Sequence, residues 1–297
     1  LKFIIKCLIR HPNRKYKPFT LYSHIYGRFD GVYKFCKLHI AETRPFFGLD
    51  SKAKSLDEFD AYIVGSDQTW RPDYNWGDRL YYMYLDFVQN NDYVKKIAYA
   101  ASFGVDNWEY NDEQTDKCKE LIKKFDAISV REASGINLCR DYLNVDAQHV
   151  LDPTMLLSAD DYCKLIENSG EKYNYNGEVC VYILDMTPQK EVLIQNFCDK
   201  NKLRWYRVGA QYGNGDVPSI ESWLAGFDKA KYVITDSFHG SVFSIIFNKP
   251  FVSIGNDVRG MSRFNSLLGM FNLEDRLVSE NDELTAITPP NWAAVNA

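Results

Sequence analysis

From about residue 59 onward, short apolar runs rich in β-branched residues alternate with helical patterns. A mostly parallel sheet covered by helices has that signature. Ala61-Tyr62-Ile63-Val64 closes on Gly65-Ser66-Asp67, and Ile97-Ala98-Tyr99-Ala100 closes on Ala101-Ser102-Phe103-Gly104. Cys118, Leu121, Ile122 and Phe125 share one face of a helix predicted over 113–125. Ala127-Ile128-Ser129-Val130 reads as a strand, and Arg131-Glu132 opens a helix to about Leu143. A strand from Gln148 to Leu151 stops at Asp152-Pro153, read here as a structural turn because proline removes a ladder donor.

A helix over 159–170 ends at Gly170, and the polar stretch Glu171–Gly177 marks a boundary. Beyond it, strands at Val179–Leu184, Leu203–Val208, Tyr232–Thr235 and Phe251–Ile254 alternate with helices over 189–201, 219–230, 240–248 and 262–271. The pattern predicts an α/β protein of two Rossmann-like lobes with mainly parallel sheets facing a cleft. Its parts are an irregular basic, aromatic segment over 1–58 belonging to the first lobe, an N-terminal lobe over 59–170, a C-terminal lobe over 178–280 and a tail over 281–297.

Composition narrows the class. The 297 residues are 45% hydrophobic and 25% charged, ordinary globular usage. No apolar run is long enough to span a bilayer. Aromatic residues reach 15%, enough for sugar-stacking surfaces as well as cores. The net charge of −5 argues against a nucleic-acid partner. It is unevenly spread, at +9 over residues 1–54 and −14 over the rest. The basic stretch, with Phe3, Ile4, Ile5, Leu8 and Ile9 between its cations, suits either a solvated arm or peripheral contact with an anionic membrane. Seven scattered cysteines without a C-x-x-C pair read as reduced thiols, so a cytoplasmic placement is expected. The five histidines lie far apart without a ligand motif, so no metal site is expected. The start at Leu1 suggests a trimmed N-terminus.

Chemistry in open parallel sheets sits at the C-terminal ends of strands. The richest such place is Tyr232–Phe251, where a strand ends in Thr235-Asp236 and Ser237-Phe238-His239-Gly240-Ser241 turns into a helix. His239 at a helix N-terminus lies beside free N–H groups that attract anions, and Gly240 lets a ligand approach the backbone. A histidine that merely caps the helix is the alternative. Gly65-Ser66-Asp67-Gln68 offers backbone donors and a polar rim, with Trp70 as a sugar platform or a core residue. Ser102 and Gly104 end a strand on the same edge.

Strand–Thr-Asp-x-x-His-Gly–helix–x-Pro–strand resembles the polysaccharide pyruvyl transferase family. The resemblance extends to DAYIVGSDQTW (60–70), AISVREASG (127–135), VLDPTML (150–156) and RGMSRFNSLL (259–268), spanning about three quarters of the chain. Many members carry Arg-Leu where this chain has Ser237-Phe238, so another cation has to replace that Arg. The family's N-terminal strand and its turn are not visible. The resemblance implies a glycosyltransferase-B-like fold. It also implies ketal pyruvyl transfer from phosphoenolpyruvate, a co-substrate rather than a cofactor, to two hydroxyls of a sugar in a surface-polysaccharide precursor.

Weighed against that reaction, Arg131 and Arg263 become candidates for clamping the anionic donor, unless they serve as a salt-bridge partner of Glu132 and as a surface charge. Arg259 is a weaker candidate. His239 can deliver a proton to the donor's methylene carbon or take one from the sugar, since histidine titrates near working pH. Asp67 and Asp236 are the nearest carboxylates by motif; Asp236 either orients the imidazole or caps the turn. Gly65, Ser66, Gln68, Trp70, Ser102, Ser237, Gly240 and Ser241 complete the expected binding surface. The expected partners are the donor and a saccharide acceptor, lipid-diphosphate-linked if the basic arm works at the inner membrane face. A nucleotide-sugar glycosyltransferase of the same fold and a non-catalytic glycan- or partner-binding relative are the other readings.

Overall fold

The computed structural model describes residues 29–41, 59–88, 93–209, 217–255 and 261–296. Two all-parallel sheets organise them. The first has four strands in the order β1-β2-β3-β4: β1 Ala61–Val64, β2 Lys95–Ala101, β3 Ala127–Val130 and β4 Gln148–His149. The second has five in the order β6-β5-β7-β8-β9: β5 Val179–Tyr182, β6 Trp205–Arg207, β7 Tyr232–Thr235, β8 Phe251–Ile254 and β9 Leu277–Val278. The molecule is thus a two-lobed Rossmann-like assembly of the glycosyltransferase-B-like kind, as the strand–helix rhythm predicts.

Ten α-helices are seen among the described residues: α1 Asp30–His39, α2 Arg79–Tyr82, α3 Asp112–Ile122, α4 Ala133–Leu138, α5 Ala159–Asn168, α6 Pro188–Asn201, α7 Ile220–Lys229, α8 Phe238–Ile246, α9 Ser262–Met270 and α10 Trp292–Val295. Their starts are written in the sequence. Asn111 and Ser158 make reciprocal capping boxes with Gln114 and Asp161, and Thr187, Ser219 and Ser237 cap α6, α7 and α8. Each such cap satisfies a backbone donor that the first helical turn leaves open.

Central strands of the second sheet are buried on both faces, which explains their unbroken apolar runs. Val233, Val242, Phe243, Phe251 and Phe264 pack on one side, and Val181, Ile194, Phe197, Ile234 and Ile254 on the other. The first lobe closes around Val64, Ala98, Ile122, Val130 and Leu143, together with an aromatic group that includes Trp70 and Tyr84.

Three expectations are corrected here. The segment over 1–58 is not irregular throughout, because Asp30–His39 is helical. That helix packs on α7 of the second lobe rather than the first, with Gly31 so close to Ser219 that an added Cβ would lie 2.8 Å from its Cα. The helix expected to open at Arg131 begins at Ala133, since Glu132 keeps an extended backbone at the strand end. Helix α8 starts two residues earlier than the pattern suggests, so His239 lies inside its first turn. The apolar–basic stretch over residues 1–28 and Arg259 lie outside the described residues.

Candidate functional site

Parallel strands deliver all their C-terminal ends to one edge. In the first lobe that edge carries Gly65–Gln68 after β1, Ser102–Gly104 after β2, Arg131-Glu132 after β3 and Asp152 after β4. The first turns of α8 and α9 in the second lobe come against it. Ala133 N donates to Ser266 Oγ at 3.0 Å across the junction, and the Arg131 guanidinium lies 4.4 Å from the Phe238 ring centroid.

Arg131 is the centre of the arrangement, its side chain 1% exposed. Its Nε donates to Glu132 Oε1 at 3.2 Å. Its Nη1 donates to Asp152 Oδ2 at 2.8 Å and to Ser66 Oγ at 3.3 Å. Its Nη2 makes no hydrogen bond and lies 3.5 Å from Asp67 Oδ1. The salt-bridge reading of Arg131 thus holds: it is buried among ion pairs with Glu132, Asp152 and Asp67. Glu132 also accepts from Ser102 Oγ at 2.7 Å. Burial pushes the Glu132 carboxyl up, although Arg131 opposes that.

Asp152 is the residue that the sequence reading passed over. Its Oδ1 accepts from the backbone and hydroxyl of Thr154, the structural turn expected of Asp-Pro. Its Oδ2 also accepts from Ser66 Oγ at 2.7 Å and lies 3.8 Å from His239 Nε2. Burial alone would raise this carboxyl; His239 and Arg131 more than offset it and hold it well below the usual carboxylate range. Its place at the end of β4, on the edge that also presents Asp67, was the available signal.

His239 is an open member, with its side chain 38% exposed and its ring edge-on to Phe238. Arg263, in the first turn of α9, is buried and electrostatically coupled to Arg131, Glu132 and Asp67. Burial first, and then Arg131, pull its guanidinium down.

Asp236 does not join this cluster. Its carboxylate accepts from Leu184 N and Asp185 N and from Lys190 Nζ at 2.8 Å. The second sheet reverses its winding between β5 and β7, where ligands usually enter. Here Asp236 and Lys190 staple those two strand ends together, so the residue secures a loop instead of orienting His239.

The expected roles of seven further residues change. Trp70 is 0% exposed, stacked on Tyr84 at 5.0 Å, with Nε1 donating to Met83 O; it is core and offers no face to a sugar. Gly240 admits the Thr235 side chain, against which a Cβ would collide, and Ser241 is buried with its hydroxyl on Ser253 Oγ; both hold α8 to the sheet. Gln68 is buried beneath Gly104 instead of lying on a rim. Gly65 has φ +124°, and a side chain there would strike Tyr99 O of β2, so its reason is passage of the chain and not ligand approach. Ser102 and Ser237 act through others, on Glu132 and as the α8 cap. We expect Trp70→Ala to destabilise the protein by about 3–5 kcal/mol, the usual loss for a large core aromatic. Chemical denaturation reads this directly, and an unchanged midpoint would refute the core assignment.

The assembled group holds two guanidiniums, an open imidazole and three carboxylates at the meeting edge of two lobes. It can bind an anion, move a proton and polarise a hydroxyl. Among the described residues, no helix is long and apolar enough to cross a membrane, and no cluster of His, Cys, Asp and Glu is placed to hold a metal ion. A family model described as polysaccharide pyruvyl transferase matches residues 4–258, well over half of the chain. No curated protein matches it significantly.

Proposed function

Because the chain belongs to the polysaccharide pyruvyl transferase family, we propose that this transferase moves a pyruvyl unit from phosphoenolpyruvate to two hydroxyls of a sugar in a surface-polysaccharide precursor, releasing phosphate. The observation that carries this reading is the junction of Arg131, Arg263 and the open His239 at one edge. A small polyanion needs cations to hold it, and its enol phosphate needs an acid beside the methylene carbon.

In this reading, His239 protonates the methylene carbon and leaves an oxocarbenium centre. A first sugar hydroxyl adds there and loses its proton to a base. Phosphate then leaves with its bonding pair, and a second hydroxyl closes the ketal, losing its own proton. One proton is taken up at carbon and two are released from hydroxyls. Asp67 is the exposed carboxylate placed to take a hydroxyl proton, while Asp152 and Glu132 hold Arg131. The acceptor is lipid-diphosphate-linked if the basic stretch over 1–54 works at the inner membrane face.

Incubation with phosphoenolpyruvate and a panel of nitrophenyl or lipid-linked sugars tests the reading. Phosphate release together with a mass gain of one ketal-linked pyruvate unit is expected. Glycosyl transfer from a sugar nucleotide, with no turnover of phosphoenolpyruvate, would overturn it.

A further inference from the structure

Ser262 opens α9 and is only 6% exposed, yet its hydroxyl makes no hydrogen bond. Other buried hydroxyls of the molecule are paired: Ser102 donates to Glu132, Ser241 meets Ser253, and Ser244 donates to Gly240 O. A buried donor left open costs free energy, and folded chains keep few of them. This one therefore calls for an acceptor that the chain itself does not supply.

The helix fixes where that hydroxyl stands. Ser262 and Ser266 are four residues apart and share one face of α9. Ser266 accepts the Ala133 amide at 3.0 Å, so that face is turned to the strand edge of the first lobe. A helical Cα–Cβ bond tilts toward the N-terminus, which puts the Ser262 hydroxyl at the positive end of the helix. The N-cap residue, Met261, gives that end no side-chain hydrogen bond. By contrast α8, the other helix that meets the strand edge, is capped by its own Ser237. An uncapped helix start favours an anion.

The charges agree with that placement. Arg263, next along α9 and 9% exposed, is electrostatically coupled to Arg131, Glu132 and Asp67. Arg131 already stands among three carboxylates, so an arriving anion meets the less compensated side at α9.

We propose that Ser262 is a phosphate-binding residue: its hydroxyl, the start of α9 and the charge of Arg263 together form the subsite for the donor's phosphate. This deepens the donor reading above and rests on it for the identity of the natural ligand. The subsite divides the reaction between two helices. His239 on α8 faces the carbon that gains a proton, while α9 holds the phosphate and stabilises the charge that it carries away.

The test is calorimetric binding of inorganic phosphate, phosphoenolpyruvate and pyruvate to the wild-type chain and to Ser262→Ala, with thermal unfolding of both in phosphate-free buffer. Losing a hydrogen bond to a charged oxygen should weaken phosphate and phosphoenolpyruvate by about 10–100-fold. Pyruvate has a carboxylate but no phosphate, and its affinity should not differ between the two proteins. The unfolding midpoint should hold or rise in the variant, because alanine removes an open buried donor; a hydroxyl that serves the fold would lower it. Weakened phosphate, with no phosphoenolpyruvate binding to either protein, keeps the subsite and removes the donor reading. Equal phosphate affinity in the two proteins, no phosphate binding to the wild type, a loss confined to pyruvate, or a lowered midpoint overturns the subsite whatever the donor is. Ser262→Cys keeps the side chain's shape with a weak donor and takes the place of the alanine variant if that one fails to fold.

Discussion

His239→Gln should lower turnover by about 10²–10⁴-fold, the scale of a positioned general acid or base, while the affinity for phosphoenolpyruvate changes far less. The split follows from the division of labour proposed for the junction. Arg131 and Arg263 carry the fixed positive charge, whereas His239 is the half-open side chain whose Nε2 stands 3.8 Å from a buried carboxylate. Asp152 is held ionised by its surroundings, so a proton arriving on His239 meets a standing counter-charge. Glutamine keeps a hydrogen-bond donor at nearly the same reach but cannot transfer a proton. Binding by calorimetry and turnover by phosphate release therefore separate two roles. Near-normal turnover in the Gln variant would reduce His239 to a hydrogen-bonding residue of α8. Affinity falling by the same factor as turnover would make it a binding group only.

The fold was readable because its strands announce themselves as short apolar runs, most plainly β5, β7 and β8, which are buried along most of their length. Ala61–Val64, Ala127–Val130, Tyr232–Thr235 and Phe251–Ile254 end where the pattern ends them. The strand-end rule also pointed to Asp67 and His239 and, with the reaction implied by the family resemblance, to Arg131 and Arg263. It misled where one residue type serves two purposes. Asp236 looks like an imidazole partner by sequence proximity, yet the reversal of strand order between β5 and β7 gives its carboxylate to Leu184, Asp185 and Lys190. Trp70 follows a polar loop, but the five residues between β1 and Trp70 suffice to carry the chain from the strand edge into the aromatic core. Asp152 was hidden by its proline: the Asp-Pro turn is real, and it uses only one of the two carboxylate oxygens. Sequence distance concealed the rest, since Asp152 meets Ser66 across 86 residues.

That second oxygen sets the other large effect. Asp152→Ala should destabilise the protein by about 3–5 kcal/mol, because it strips a buried guanidinium of a close counter-charge and leaves Arg131 inside. Asp152→Asn keeps an acceptor for Thr154 but loses the charge, so its loss should be smaller. The pH dependence identifies the mechanism. The folded-state carboxyl is depressed below its unfolded value. Its stabilisation is therefore complete above the unfolded value of about 3.9 and is lost as pH falls from there toward the folded one. Wild-type stability should decline below about pH 4 with a slope that Asp152→Asn lacks in part, and the two proteins should converge in acid. Urea denaturation at stepped pH measures this. Parallel curves for wild type and Asn variant would mean that the charge of Asp152 contributes nothing, and that the Asp-Pro pair is a turn alone. If the curves converge as expected, the charge of Asp152 is what fixes Arg131 at the strand edge of the first lobe. Substitutions at Asp152 would then loosen Arg131 and change folding and donor binding together.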